Sequence, residues 1–346
     1  MIDRKTEFGV VMEASPGYTA RLSKEIENMG FNYLLCPDTQ NLAPDPYGQL
    51  SLACAATESL NLGTGVTNPL TRDPAVTATA IMTLQQESGG RAISVIGRGD
   101  SSAAHIGLSN ATTRQLRNCI EQIQAYMAGE TIMRGEKESS LRWLKGEDIA
   151  PAPLDIACTG PKTIQMAVEV GDRISFAVGS APERIEWALK TANEHLEKIG
   201  RERSSISIGA FVNLVCDQDN QNAINMGRMI AGMVAHFAGM KNAPVGHLPP
   251  QLKELAIHMQ SQYDMERHAQ DEGTHLNEVS DEFIEWFSIC GTPDKCQKRL
   301  QAIIDQGLDH VYLLGGSGVA HPHGARQESM IRQTKLFADE VLPNIR

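Results

Sequence analysis

Residues 60–101 read LNLGTGVTNPLTRDPAVTATAIMTLQQESGGRAISVIGRGDS. The stretch divides into strand, helix and strand. Residues 60–68 are apolar and β-branched until Asn68-Pro69 stops the pattern. Residues 75–89 form a helical run, and AISVIGRG (92–99) is apolar without alternation. A strand of that last kind fits a parallel sheet buried on both faces. Gly63 and Gly65 sit inside the first strand, where glycine weakens pairing. Such a glycine often marks a bulge or a close approach of a ligand.

The same unit repeats along the chain. Strand-like runs at 8–13, 32–38, 60–68, 92–99, 155–160, 173–179, 206–216 and 310–316 are each followed by a helical segment. Eight such units predict an α/β fold of the (β/α)8 TIM-barrel type, as a single domain over 1–346. A doubly wound sheet would want a GxGxxG turn after the first strand, and FGVVMEASPGYT has none. Two places exceed the minimal repeat. Residues 131–154 add a loop, and residues 217–290 add a helical insertion after strand seven, near the expected active-site mouth. The insertion is rich in methionine (Met226, Met229, Met233, Met240, Met259, Met265). It reads either as a packing or dimer helix pair or as a pliable apolar wall around a substrate.

Of the 346 residues, 41% are hydrophobic and 21% charged, and the net charge is −11. That balance argues against general nucleic-acid binding and against anionic membrane surfaces. An anionic ligand would need a local site. The start MIDRKTEFGVVM lacks a signal-peptide apolar core, and no run of 18 apolar residues occurs. Seven cysteines without a CxxC pair read as reduced thiols, so a cytoplasmic protein is expected.

In a barrel the C-terminal ends of the strands are where chemistry is expected. Those ends carry Asp38-Thr39, Gly65-Val66-Thr67-Asn68, Gly97-Arg98-Gly99, Thr159-Gly160-Pro161-Lys162, Val178-Gly179-Ser180, Asn213 and Gly315-Gly316-Ser317. Recurrent glycine suggests that backbone must pass close to a large flat ligand or expose its N–H groups. Gly160-Pro161-Lys162-Thr163 reads as a helix N-terminus with free N–H groups, to which Lys162 and Thr163 add donors. Such an end binds anions, and Val178-Gly179-Ser180 starts the next helix in the same way. A plain Gly-Pro turn is the competing reading, and the Walker A spacing is missing. His321 and His323 could suggest a metal, but no carboxylate lies near them in sequence, so no metal site is assigned.

The block 60–101, the CTGP turn (158–161), the FAVG strand (176–179) and CGTPDKCQKRL (290–300) together resemble the luciferase-like flavin and deazaflavin oxidoreductases. The likeness is closest to the F420-dependent branch of the methylenetetrahydromethanopterin reductase type. The resemblance implies a TIM barrel, usually dimeric, that binds F420, or alternatively FMN, at the C-terminal mouth. It implies hydride transfer between F420 and a small-molecule substrate. The alternatives are an FMN-dependent monooxygenase fed by a flavin reductase and a flavin-binding barrel without turnover. Carried onto this chain, Gly65-Val66 matches a strand-three bulge with a non-prolyl cis peptide behind the deazaflavin ring. Thr67 and Asn68 would bond the ring edge, and Gly97, Arg98 and Gly99 would line the ring or its side chain. Thr159, Gly160, Pro161, Val178 and Gly179 would hold the phosphate. Relatives often carry Asp-His after strand two, where this chain has Asp38-Thr39. Without that histidine, alcohol oxidation is disfavoured. Hydride delivery to an activated C=C, C=N or C=O is expected instead, with Asp38 as orienter or acid at a pKa raised by burial.

Overall fold

A computed structural model describes residues 5–235, 250, 253–254, 280–315 and 325–345. Within the helices, the side chains of 229–235 and 325–329 are outside that description. The first four strands and their helices are β1 (Glu7–Val11), α1 (Thr19–Asn28), β2 (Tyr33–Cys36), α2 (Pro46–Ala56), β3 (Asn61–Thr64), α3 (Pro74–Glu87) and β4 (Ala92–Ile96). A short α4 (Ser101–Ala104) precedes α5 (Thr113–Met127). A hairpin, β5 (Ile132–Arg134) and β6 (Lys137–Ser139), stands where only a loop was expected. Then come β7 (Leu154–Cys158), α6 (Pro161–Val170), β8 (Arg173–Phe176), α7 (Pro182–Ile199), β9 (Ser207–Cys216) and α8 (Asn220–Ala235). The chain continues through α9 (Asp281–Phe287), β10 (Ile289–Gly291), α10 (Pro293–Ile304), β11 (His310–Gly315) and α11 (Ala325–Glu340).

The parallel strands β1, β2, β3, β4, β7, β8, β9 and β11 pair in a ring, closed by β8 against β9. All eight expected strands are the staves of this barrel. The three-residue β10 was read as part of the helical insertion. It pairs instead with the end of β9, Ile289 beside Leu214 and Gly291 beside Cys216. A run of three residues is too short to show a strand period, so pairing had to decide it. Of the expected methionine wall, the side chains of Met229, Met233, Met240, Met259 and Met265 lie outside the described residues.

Alternation sorts each strand. One face, including Phe8, Val10, Leu34, Ile96 and Val212, packs outward against the helices. The other face fills the barrel with Val11, Tyr33, Leu35, Ile93, Val95, Phe211 and Tyr312. Beneath that layer, at the N-terminal end, lies a buried polar plug. Asp155 accepts bonds from Ser175 Oγ (2.8 Å) and Tyr312 Oη (3.0 Å), and His310 Nε2 stands 3.4 Å from it. Arg173 reaches Glu7 at 3.1 Å and Asp155 at 3.8 Å. Conserving such partners is the condition for keeping charge in a low-dielectric interior.

Strand three answers to its neighbours. A Cβ on Gly63 would stand 2.2 Å from the Ile93 carbonyl oxygen, and one on Gly65 would stand 2.7 Å from Leu35 Cβ. Both glycines are therefore required by β2 and β4, and the close approach expected of a ligand is made by protein. The ladder of β3 stops at Thr64, the Gly65-Val66 peptide is cis, and pairing resumes as a single bridge between Thr67 and Ile96.

Candidate active site

The mouth of the barrel gathers the strand ends. Gly97 lies against Val66 and Ala157, since a Cβ there would stand 3.1 Å from Val66 Cγ2 and 3.6 Å from Ala157 Cβ. These small side chains leave a flat bed beside the strand-three bulge. Val66, Ala157, Ala177 and Leu314 are all half-buried, so the inner layer is open on this side.

Asp38 is buried, and Thr67 Oγ1 donates to it at 2.7 Å. Arg72 Nε stands 3.4 Å away, while the same guanidinium also meets Asp45 and stacks on Tyr47. Burial raises the Asp38 pKa, and the Thr67 bond and Arg72 oppose that rise. The turn that follows is closed by the Thr39 carbonyl, which accepts from Leu42 and Ala43. Asp38 is thus not spent as a cap. Thr39 is half-buried in this turn.

Two of the expected ring residues, Asn68 and Arg98, also hold loops. Asn68 Oδ1 accepts from the N–H groups of Leu70 and Thr71, and its Nδ2 donates to Ser102 Oγ. Its carboxamide therefore holds the loop. Arg98 Nε donates to the Ala111 carbonyl at 2.5 Å, which pins the segment before α5. Gly99 is the turn residue between them, packed against Asn68.

The anion-binding reading fares differently. Gly160 is the N-cap of α6, it has no side-chain cap, and Pro161 takes the first helical position. The N–H groups of Lys162 and Thr163 have no intramolecular partner among the described residues. Nothing would lie within 4 Å of a Cβ on Gly160, and Lys162 is exposed beside it. Thr159 is half-buried next to this end. Val178 and Gly179 form the turn before α7. Gly179 has φ +83°, and a Cβ on it would stand 2.4 Å from the Phe287 ring. Ser180 N–H donates to the Phe287 carbonyl at 2.8 Å, so α9 braces this turn. Arg184 is buried, donates through Nε to the Val178 carbonyl, and leaves Nη2 without a partner among the described residues. Burial lowers its pKa to about 10.

One group escaped the sequence reading. Glu13 lies two residues beyond Val11, on the face that fills the barrel. Met12 N–H still bonds the Leu35 carbonyl, so the strand geometry continues to the mouth. The Glu13 carboxylate is buried without a side-chain partner among the described residues, and that burial pushes its pKa up to about 7. The available signal was a charged residue ending an apolar strand, FGVVME. All seven cysteines are buried and free, and no metal-binding group of His, Cys, Asp or Glu occurs among the described residues.

Comparison with known proteins bears directly on this geometry. A family model described as luciferase-like monooxygenase matches residues 4–310. The chain belongs to that family. Within the luciferase-like family it is similar to a 5,10-methylenetetrahydromethanopterin reductase of Archaeoglobus fulgidus. The two are 28% identical over 333 residues, which span 93% of this chain and 94% of that one. It is also 25% identical to an F420-dependent glucose-6-phosphate dehydrogenase of Beutenbergia cavernae, across 92% of this chain and 90% of the relative. The solved coenzyme F420-dependent tetrahydromethanopterin reductase of Methanopyrus kandleri superposes with a TM-score of 0.74. That match covers 99% of this chain and 100% of the other, at 25% identity. A monooxygenase of Streptomyces bottropensis shares the fold, with a TM-score of 0.65 at 16% identity over 98% of this chain and 99% of the other.

Proposed function

We propose that this luciferase-like protein is an oxidoreductase that moves a hydride between F420 and a small organic substrate. The observation that carries the reading is the small-residue bed of Val66, Gly97 and Ala157 in the same mouth as the uncapped end of α6. A flat ring suits the first and a phosphate suits the second. The relatives named above as F420-dependent support the choice of cofactor. F420, when bound, supplies a carbon-centred two-electron donor or acceptor. The protein's part is to seat the ring against Val66, to bind the phosphate at Gly160, Pro161 and Lys162, and to manage a proton. Arg184 adds a buried positive charge behind the Val178-Gly179 turn. Glu13 is the proton carrier, because its carboxyl is half protonated near neutral pH and has no ion partner among the described residues. Asp38, tied to Thr67 and Arg72, orients the substrate. Hydride delivery to an activated C=N or C=O then takes its proton from Glu13.

The test is a fluorescence titration of the protein with F420 and, separately, with FMN, repeated on Gly160→Glu. F420 is expected to bind at least ten times more tightly than FMN. The added carboxylate at the helix end is expected to weaken F420 by about 100-fold through like-charge repulsion. The melting temperature should not move, because the Gly160 backbone is extended (φ −135°) and its Cβ direction is open. Preference for FMN would turn the reading to a monooxygenase with a flavin reductase as partner. Binding of neither would overturn it.

The same reading places the protein in the cytoplasm, supplied with reduced cofactor by an F420 reductase. The free thiols support this, and no helix among the described residues is long and apolar enough to cross a membrane. We also propose a homodimer through α2 and α3. Neither helix carries a charged residue before Glu87, yet Leu52 is 50% and Val76 52% exposed. Small and apolar surface of that kind suits a second copy. Leu52→Asp with Val76→Asp should halve the mass seen by light scattering. A variant that keeps the wild-type mass, or a monomeric wild type, would remove this face from consideration.

A further inference from the structure

Asn213 lies in β9 two residues beyond Phe211, and so shares the face that fills the barrel. It is 2% exposed, and its Nδ2 has no hydrogen-bond partner among the described residues. The neighbouring inner side chains, Phe211 and Leu314, are apolar and offer no acceptor. The residue is held firmly. The β8–β9 ladder ends at Phe176 beside Ala210, and beyond it Ser180 Oγ accepts the Asn213 N–H at 3.1 Å. Ser180 is itself fixed by its N–H bond to the Phe287 carbonyl. A buried donor left unpaired is a cost to folding. Leucine has nearly the same shape and would avoid that cost, so folding alone gives no reason for an amide here.

We propose that Asn213 is a specificity-determining residue whose Nδ2 donates to a ring carbonyl oxygen of the molecule bound in the mouth. The acceptor is of the cyclic amide class. Such a carbonyl occurs on the deazaflavin's pyrimidine ring and on pterin-like substrates. Asn213 distinguishes carbonyl-bearing rings from rings of the same shape without one, because only the former relieve the unpaired donor. The inference rests on the F420 reading of this site.

Asn213→Leu and Asn213→Asp would be compared with the wild type by fluorescence titration with F420 and with the bare deazaflavin chromophore, which lacks phosphate and tail. Tetrahydrofolate would then be titrated into the F420-loaded proteins as a pterin probe. Both substitutions are expected to weaken the chromophore at least tenfold, which would identify the cofactor ring as the acceptor. A loss confined to tetrahydrofolate would support the residue and identify the substrate ring instead. The melting temperature of ligand-free Asn213→Leu should equal or exceed that of the wild type, a result that a structural role would reverse. Wild-type binding of the chromophore that neither substitution weakens, with tetrahydrofolate binding also unchanged, would overturn the proposal. So would a lower melting temperature in ligand-free Asn213→Leu. Failure of the wild type to bind F420 at all would instead overturn the functional reading and this inference with it.

Discussion

Glu13→Gln is expected to lower kcat by two to three orders of magnitude while leaving the F420 dissociation constant within about threefold of wild type. General acid catalysis by a positioned group contributes about 10²–10⁴-fold, and glutamine keeps the shape while removing the transferable proton. The carboxyl sits at the end of β1 with its pKa pushed up to about 7 by burial, so it is protonated below that pH. In the reducing direction, wild-type kcat should therefore be level below about pH 7 and fall tenfold per unit above it. The glutamine variant should lack that limb. The assay is deazaflavin absorbance with an electron acceptor that the wild type turns over. If Glu13→Gln keeps more than half of the wild-type kcat, or the same alkaline limb, the proton comes from another group, and Asp38 is the next candidate.

The second large effect concerns stability. Asp155→Ala should cost about 3–5 kcal/mol, because it strips the acceptor from Ser175 and Tyr312, removes the carboxylate beside His310, and leaves Arg173 with Glu7 alone as counter-charge. For a chain of this length that is a fall in melting temperature of about 5 °C. The plug also sets a pH dependence. The Asp155 pKa lies below its ordinary value: burial raises it, but the hydrogen bonds from His310 and Ser175 and the charge of Arg173 outweigh that. Its stabilisation is present above about pH 4 and is lost as the pH falls through the depressed value. Burial also lowers the His310 pKa, so the imidazole is neutral in the folded protein. Unfolded histidine takes up a proton near pH 6.5, so stability starts to fall as the pH drops below that point. Glu13 acts in the opposite sense. Its raised pKa contributes stability below about pH 4.5, and that contribution is lost as the pH rises through 7. Melting curves from pH 8 to 4 should thus show a steeper acid decline in Glu13→Gln than in the wild type. An Asp155→Ala protein within about 1 kcal/mol of wild type would mean that the plug is not needed for folding.

Much of the barrel was legible in residue order alone. Short β-branched runs between longer helical ones determined eight staves, because a parallel strand buried on both faces must be apolar throughout. Thr292-Pro293 opened α10, with Cys296, Leu300 and Ile303 on its buried face, as their spacing requires. The Gly160-Pro161 helix start was also legible, since proline at a first helical position leaves the amides of the first turn unpaired. What the chain does with its other strand-end residues depended on contacts between elements far apart in sequence. Asn68, expected at the ring edge, and Arg98, expected to line the ring, also hold loops that residue order alone does not show. Gly63 and Gly65 looked like room for a ligand, and they are room for Ile93 and Leu35. Glu13, Asp155 and Asn213 gained their meaning only on closure of the ring. A charge or amide among apolar neighbours in sequence is ambiguous, because water can solvate it in an open chain. Once the strands curl and exclude water, its pKa and its need for a partner follow from which neighbours remain within reach.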